Sequence, residues 1–253
     1  IYQFTMDRGH RHPFAFLKTY EGIIHADAFG AYEALDADAQ SGISWAACWA
    51  HARRNFEKAK DGDADFRTWV MRQFRYLFMF ERIAWASSAE RRLYIREHHE
   101  KPLVDELFAK LLEKQRVLRP RTQTAKAIGY MTSRMTAFRR YLGDANLRMD
   151  NNMSERGLRK VVIGRKNWMF VGSPEAGRSA AALLSLVQTC RAMGIVPRDY
   201  LEDLFRRLLD HPAARLDELL PDQWKACPQA GGPAARDAVT VTAGAAPPAV
   251  VSA

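Results

Sequence analysis

Cysteine is scarce and widely scattered in this chain. Only Cys48, Cys190 and Cys227 occur in 253 residues, an odd number with no Cys-x-x-Cys pair. That argues against a disulfide framework and a structural zinc site, and it fits a reducing cytoplasm. No apolar run approaches the roughly 20 residues that a membrane-spanning helix needs, and no basic-then-apolar leader opens the sequence, so no membrane partner is expected. A glycine-rich phosphate loop is also missing, which removes the usual reason to expect a nucleotide cofactor. There is no internal repeat. From Pro228 to the end large side chains and charge both become rare, leaving Ala, Gly, Pro and Val; residues 228–253 are expected to be a disordered tail. The first residue is Ile1, and "IYQFT" reads at once as strand-like, the pattern expected of a piece of a longer protein.

Positive charge is abundant. Lys and Arg number 38 against 29 Asp and Glu, a formal +9, and the pI is near 9.6. Such a balance suits a partner with dense negative charge, nucleic acid above all. With 47% hydrophobic residues, the chain can also bury a sizeable core.

The elements fall into an ordered pattern. "HPFAFLKTY" is a short helix candidate, and "GIIHAD" reads as a buried strand that runs from Gly22 and delivers Asp27 at its end. "AYEAL" is a helical turn; "ISWAACWA" is a second apolar stretch, and it leads into the basic helix "HARRNFEKAK". This rhythm over residues 1–60 predicts an α/β core. From Asp61 the period changes, with Phe66, Trp69, Val70, Phe74, Leu77 and Phe78 at helical spacing. Ser87 with Glu90 forms a capping box, Pro102 kinks or restarts a helix, and Gly143 stops the segment that begins near Thr122. Residues 61–143 are therefore predicted to be an all-helical block. Residues 144–196 return to the core with a helix ending at Gly194, and 197–227 form a C-terminal helical segment opened by Pro197.

Two acids stand out. Glu155 lies in "MDNNMSERGLRKVVIGRKNW" among Arg156, Arg159, Lys160, Arg165 and Lys166. As the last member of Asn-x-x-Glu it can cap its own helix by reaching back to the Asn152 amide. The same carboxylate can instead hold a hard divalent cation beside a phosphate track. Asp27 is either a solvated strand end or a site residue, because α/β sheets place ligands at the carboxyl ends of their strands. Two-metal phosphoryl transfer needs carboxylates that converge on ions about 4 Å apart, and Asp27 and Glu155 are candidates for two of them. In "CWAHARRNF", Cys48 reads as core. His51, Arg53 and Arg54 read either as a phosphate-binding helix start or as a solvated face. Trp45, Trp49, Trp69 and Trp85 are expected to fill the core. His10, His12, His98 and His99 are assigned no metal.

Taken together and in order, "HADAFGAYEAL", "CWAHARRNFEKA", "DNNMSERGLRKVVIGRKNWMFVGS" and "LDELLPDQW" resemble the catalytic region of bacterial insertion-sequence transposases of the sixty-six type, the TnpC-like family. The resemblance runs from residue 1 to about 225 and is carried most specifically by the long block around Glu155. It implies an RNase H-like fold, incomplete here at its N-terminus, with a large all-α insertion and C-terminal helices. It further implies an Asp, Asp, Glu site holding Mg²⁺ or Mn²⁺, in which Asp27 matches the second acid and Glu155 the last. The family's first Asp belongs to an Asp-Glu-Thr context that this sequence does not contain, and Asp7 in "TMDRGH" is a poor substitute. The resemblance thus implies a catalytic fragment of a DDE-type transposase, inactive alone, that cleaves DNA strands and transfers them. Arg53, Arg54, Arg156, Arg159, Lys160, Arg165 and Lys166 would contact phosphates. The implied partners are double-stranded DNA (element ends and target), further copies of the chain in an active complex, and accessory proteins of the same element, in the bacterial cytoplasm at the nucleoid. The alternatives are a non-catalytic, DNA-binding or regulatory remnant and a stand-alone nuclease of the same fold.

Overall fold

The computed structural model describes residues 1–7, 9–167 and 171–224, apart from the side chains of Lys160 and residues 165–167. The tail expected from Pro228 lies outside the described residues. Contacts divide the chain into two units, one spanning Gly9–Arg156 and the other combining the first residues with those from Gly157 onward.

In the first unit a short helix α1 (Arg11–Phe16) precedes strand β1 (Gly22–Ala26), helix α2 (Gly30–Ala37), strand β2 (Ile43–Ala47) and helix α3 (Trp49–Lys58). The two strands pair in parallel, Gly22 against Ile43 through Ala26 against Ala47, and α2 makes the crossover that a parallel pair requires. Alternation is weak because both strands are largely enclosed: Ile24, Ala26, Ile43, Trp45, Ala46 and Ala47 are all buried. The outer edge of β2 is closed by side chains. Asp36 accepts from the Trp45 amide at 3.0 Å, and Arg140 donates to the Trp45 carbonyl while pairing with Asp36 at 2.8 Å. These are the only two strands among the described residues, so the chain is mostly helical and the expected α/β character is confined to this small parallel sheet.

Helices fill the rest of the unit: α4 (Ala64–Trp85), α5 (Ala89–Ile95), α6 (Lys101–Val117), α7 (Gln123–Thr132) and α8 (Met135–Arg139), then a 3₁₀ turn over Arg140–Gly143. The apolar stripe of α4 buries Phe66, Val70, Phe74 and Leu77. The cap of α5 is one residue later than the sequence pattern indicated: Ser88, not Ser87, accepts from the Arg91 amide, at 3.2 Å. The Ser87 hydroxyl instead donates back to the Ile83 carbonyl, and its amide to the Ala84 carbonyl, so Ser87 closes the end of α4. A π-helical turn, Arg96–Glu100, joins α5 to α6, and Pro102 sits in the first turn of α6, where its missing N–H is tolerated.

Trp49 is the hub of this unit. Fully buried, its indole meets Phe74, Phe108, Phe138 and Tyr141 edge-to-face, with centroids 5.2–6.3 Å away, the geometry aromatic rings prefer. Its Nε1–H donates to the Phe138 carbonyl at 2.9 Å. Trp45 is buried too, but Trp69 and Trp85 are only partly so. Trp85 is covered by charge instead of apolar side chains, with the Arg92 and Arg148 guanidinium carbons 3.8 and 4.0 Å from its ring centre.

A charged network is buried beside this hub. Arg96, wholly enclosed, forks onto both oxygens of Glu81 and donates to the carbonyls of Tyr141, Asp144 and Leu147 at 2.6–2.9 Å. One side chain thus satisfies three carbonyls of the irregular segment leading to the next helix, backbone groups that would be costly to leave unpaired. Glu100 accepts from the Tyr141 hydroxyl at 2.9 Å. Burial first, and then the nearby Glu81 charge, push the Glu100 carboxyl up to about 8.

The second unit contains helix α10 (Pro174–Ala192), helix α11 (Pro197–Arg207) and a 3₁₀ segment, Ala213–Leu219. Cys190, Tyr200, Leu204 and Leu219 form its core, with Trp224 packed against them. The opening "IYQFT" is not a strand. With no ladder partner, the Tyr2 amide donates to the Ser185 hydroxyl at 2.7 Å, and Phe4 packs so close to Gly177 that a Cβ there would lie 2.6 Å from its ring. Helix α9 (Asn152–Asn167) begins in the first unit and continues in the second.

Two outcomes follow from these packing arrangements. Trp49→Phe keeps an aromatic ring but strands the Phe138 carbonyl, and is expected to lower stability by about 2–3 kcal/mol in urea unfolding. A raised carboxyl favours the native state only while protonated, so the Glu100 contribution is full below the ordinary carboxylate range and is lost as pH rises towards about 8. Glu100→Gln should therefore flatten the decline in stability between about pH 5 and 8 seen in pH-dependent thermal melts.

Candidate active site

The end of β1 and the start of α3 are adjacent because β1 and β2 run in parallel, so both deliver their following residues at the same end of the sheet. Asp27 follows β1 directly. Cys48 follows β2 and is the N-cap of α3; its thiol is fully buried and is pushed up by burial. No base partners it as a nucleophile would need; it accepts from the Asn151 amide at 3.5 Å. The Trp49 amide donates to the Met149 carbonyl at 3.0 Å. These two bonds fasten the start of α9 against the start of α3.

The consequence is a local charge cluster. His51 and Arg54 are three residues apart in α3, hence on one face, and both reach Glu155 in the first turn of α9. Arg54 Nη2 lies 3.2 and 3.4 Å from the two carboxylate oxygens, and His51 Nε2 lies 3.2 Å from Oε1. Burial, then the Arg54 charge, lower the His51 pKa, while Glu155 and Asp27 oppose that shift. Asp27 and Glu155, 128 positions apart in the numbering, therefore act on one imidazole. Asp27 also helps to hold the hydroxyls of Tyr32 and Tyr130 up, after burial. On β1, His25 is lowered to about 4, chiefly by burial, with the Asp150 charge opposing; it is neutral near pH 7.

The helix-cap role read for Glu155 is not what the fold uses. The Asn152 amide donates instead to Asp150 Oδ1 at 3.1 Å, because α9 begins at Asn152 and its cap lies earlier in "MDNN". The Glu155 carboxylate is thereby left to Arg54 and His51. The remaining basic residues diverge. Arg53 turns to Glu57 at 2.9 Å and over the Phe78 ring. Arg156 is exposed in the first unit, and Arg159 is exposed in the second. The side chains of Lys160, Arg165 and Lys166 lie outside the described residues.

The sequence reads His51 and Arg54 either as a phosphate-binding helix start or as a solvated face, and gives no link to Glu155. The i, i+3 spacing showed a common face, but only the packing of α3 against α9 shows what that face meets. Among the described residues, no three His, Cys, Asp or Glu side chains form a group that could hold a metal ion. The donors present are carboxylate oxygens of Asp27 and Glu155, with Asn151 Oδ1 buried and unpartnered one turn before Glu155. Carboxylate and amide oxygens suit Mg²⁺ or Mn²⁺ better than a soft metal, and His51 Nε2 stands 3.2 Å from one of the Glu155 oxygens. No helix among the described residues is long and apolar enough to cross a membrane.

Comparison with known proteins places this geometry in a family. Residues 1–179 match the model described as Transposase IS66 family, and residues 185–221 match the IS66 C-terminal element. Three proteins of Sinorhizobium fredii (strain NBRC 101917 / NGR234) are similar along most of the chain. The uncharacterized protein y4hP is 35% identical, covering 89% of this chain and 44% of the relative; y4jD is 30% identical, covering 89% and 45%; y4qI is 32% identical, covering 91% and 44%. The chain therefore spans less than half the length of these relatives. No solved structure matches it. On the strength of a family model aligned across both the Asp27 strand and the Glu155 helix, the chain belongs to the IS66 family of transposases.

Proposed function

We propose that this chain carries two of the three acids of a DDE transposase site and takes part in metal-dependent cleavage of DNA strands at element ends and their transfer to a target. The observation that carries this reading is that Glu155, in the first turn of α9, meets His51 and Arg54 of α3 at the sheet end where Asp27 follows β1. One acid comes from a strand end and one from a helix start. The parallel pair β1–α2–β2 is the edge of an RNase H-like sheet. Since Asp36 and Arg140 close the far side of β2, further strands join on the β1 side, and the first Asp belongs to that part of the sheet.

Asp27 and Glu155 would hold Mg²⁺ or Mn²⁺, whose charge activates the attacking oxygen and stabilises the leaving oxygen when bound. His51, lowered by burial and by Arg54, orients the Glu155 carboxylate through Nε2. Arg156 and Arg159, both exposed, neutralise backbone phosphates and position the duplex without reading bases. Each reaction exchanges one phosphodiester bond for another, or for a hydrolysed end, so no nucleotide supplies energy. The protein works on double-stranded DNA as an oligomer, with accessory proteins of its element, at the bacterial nucleoid.

The test uses the full-length protein and an element-end duplex. Asp27→Asn and Glu155→Gln should each lower Mg²⁺-dependent strand cleavage by at least about 10²-fold. Their melting temperatures should stay close to that of the unaltered protein. Cleavage by the Gln variant at the unaltered rate would leave Glu155 a structural acid and favour a DNA-binding regulatory remnant.

A further inference from the structure

We propose that Arg54 is a latch on the active-site acid, which exchanges its guanidinium between Glu155 and a DNA backbone phosphate so that DNA binding frees the carboxylate for its cation. This rests on the metal role given to Glu155 above. Three observations support it. First, Arg54 Nη2 engages both Glu155 oxygens and His51 Nε2 engages one of them, so the carboxylate that would coordinate a cation is already answered by two donors. Second, the contact is accessible. The side chains of Arg54 and Glu155 are 46% and 34% exposed, unlike the sealed Arg96–Glu81 pair at 0% and 7%. An exposed ion pair contributes little net stability, so a phosphate can compete for its arginine. Third, the guanidinium fork matches carboxylate and phosphate equally well. Arg53, the adjacent residue, is occupied on another face by Glu57 and Phe78, so it is Arg54 that stands at the acid.

Physically, the latch links two binding events. Without DNA, the Arg54 charge repels an incoming divalent cation and ties up its ligand. A phosphate diester drawn to the site accepts the same fork, and Glu155 is released where the scissile backbone now lies. Metal loading is thereby favoured on DNA and disfavoured off it, which limits uncoupled hydrolysis.

The test uses the full-length protein, with Mn²⁺ as the probe and free Mn²⁺ read by electron paramagnetic resonance. Four proteins are compared: unaltered, Arg54→Gln, Glu155→Gln and the double variant, with melting curves to confirm folding. Without DNA, Arg54→Gln should bind Mn²⁺ about fivefold to tenfold more tightly, the size expected for removing one nearby positive charge, whereas Glu155→Gln should lose that binding. Arg54→Lys, which keeps the charge but lacks the fork, should fall between. In EDTA, Glu155→Gln should tighten binding to a short duplex and steepen its salt dependence by about one phosphate contact. That gain should vanish when Arg54 is also replaced.

The outcomes separate the two ideas. If Glu155→Gln binds Mn²⁺ as the unaltered protein does, the metal reading itself fails. If Glu155→Gln loses Mn²⁺ but Arg54→Gln binds it no more tightly, the latch is overturned and the metal reading stands. An equal gain in DNA affinity with and without Arg54 would reflect relief of charge repulsion alone, and would also overturn the exchange.

Discussion

The indole of Trp49 is the constraint on which the first unit depends. It is the first residue of α3, so its position sets where His51 and Arg54 project one turn later. Its four aromatic neighbours come from α4, α6, α8 and the following 3₁₀ turn, and its amide reaches back to Met149. The helical block is therefore the wall against which the start of α3 is pressed. A ring with one polar handle does this better than an aliphatic side chain, because edge-to-face contacts fix orientation and the N–H fixes depth.

Charge performs the second half of the same task. The segment between Gly143 and α9 has little regular structure of its own; Arg96 gathers its carbonyls at Asp144 and Leu147 together with that of Tyr141 in the preceding 3₁₀ turn, while Arg92 takes Ala145. Burying a guanidinium is expensive unless it is paired and fully hydrogen-bonded, and here Glu81 supplies the countercharge. Such a pair adds little net stability compared with apolar packing. Its structural consequence is positional: it holds the approach to α9 in one path, and Glu155 follows at the end of that path. The buried network and the half-exposed site therefore differ in kind. One is closed and has no solvent competitor, and the other keeps its ion pair open to solvent.

Much of the local structure was legible in the sequence. Gly22 to Ala26 is a strand because a short β-branched and apolar run follows a glycine and is closed by an acid. The stripe from Phe66 to Leu77 is a helix because its period is helical. Pro197 and Gly194 mark helix ends for the steric reasons that make them punctuation. Misreadings came where two local solutions were nearly equal in energy. Ser87 and Ser88 can each cap a helix, and the extent of α4 decides between them. Asn152 with Glu155 forms a plausible capping box, yet Asp150 satisfies that amide first. "IYQF" has strand composition, but a strand exists only by virtue of a neighbour, and Tyr2 and Phe4 find α10 instead. Trp69 and Trp85, read as core, lie at its margin with Lys110 and arginines over their faces, since an indole face accepts a cation as readily as it accepts an alkyl group.

What the sequence determined by itself is the family and the order of strand, helix and helical block, because these are carried by residue type, by short apolar runs and by the 3.6 period. What only the tertiary structure decided is which charges meet. Arg53 and Arg54 are neighbours in sequence and equal in chemistry, yet one faces Glu57 and Phe78 and the other faces Glu155. The hundred degrees that a helix turns per residue separates them, and the packing of α3 against α9 through Trp49 gives that angle its meaning.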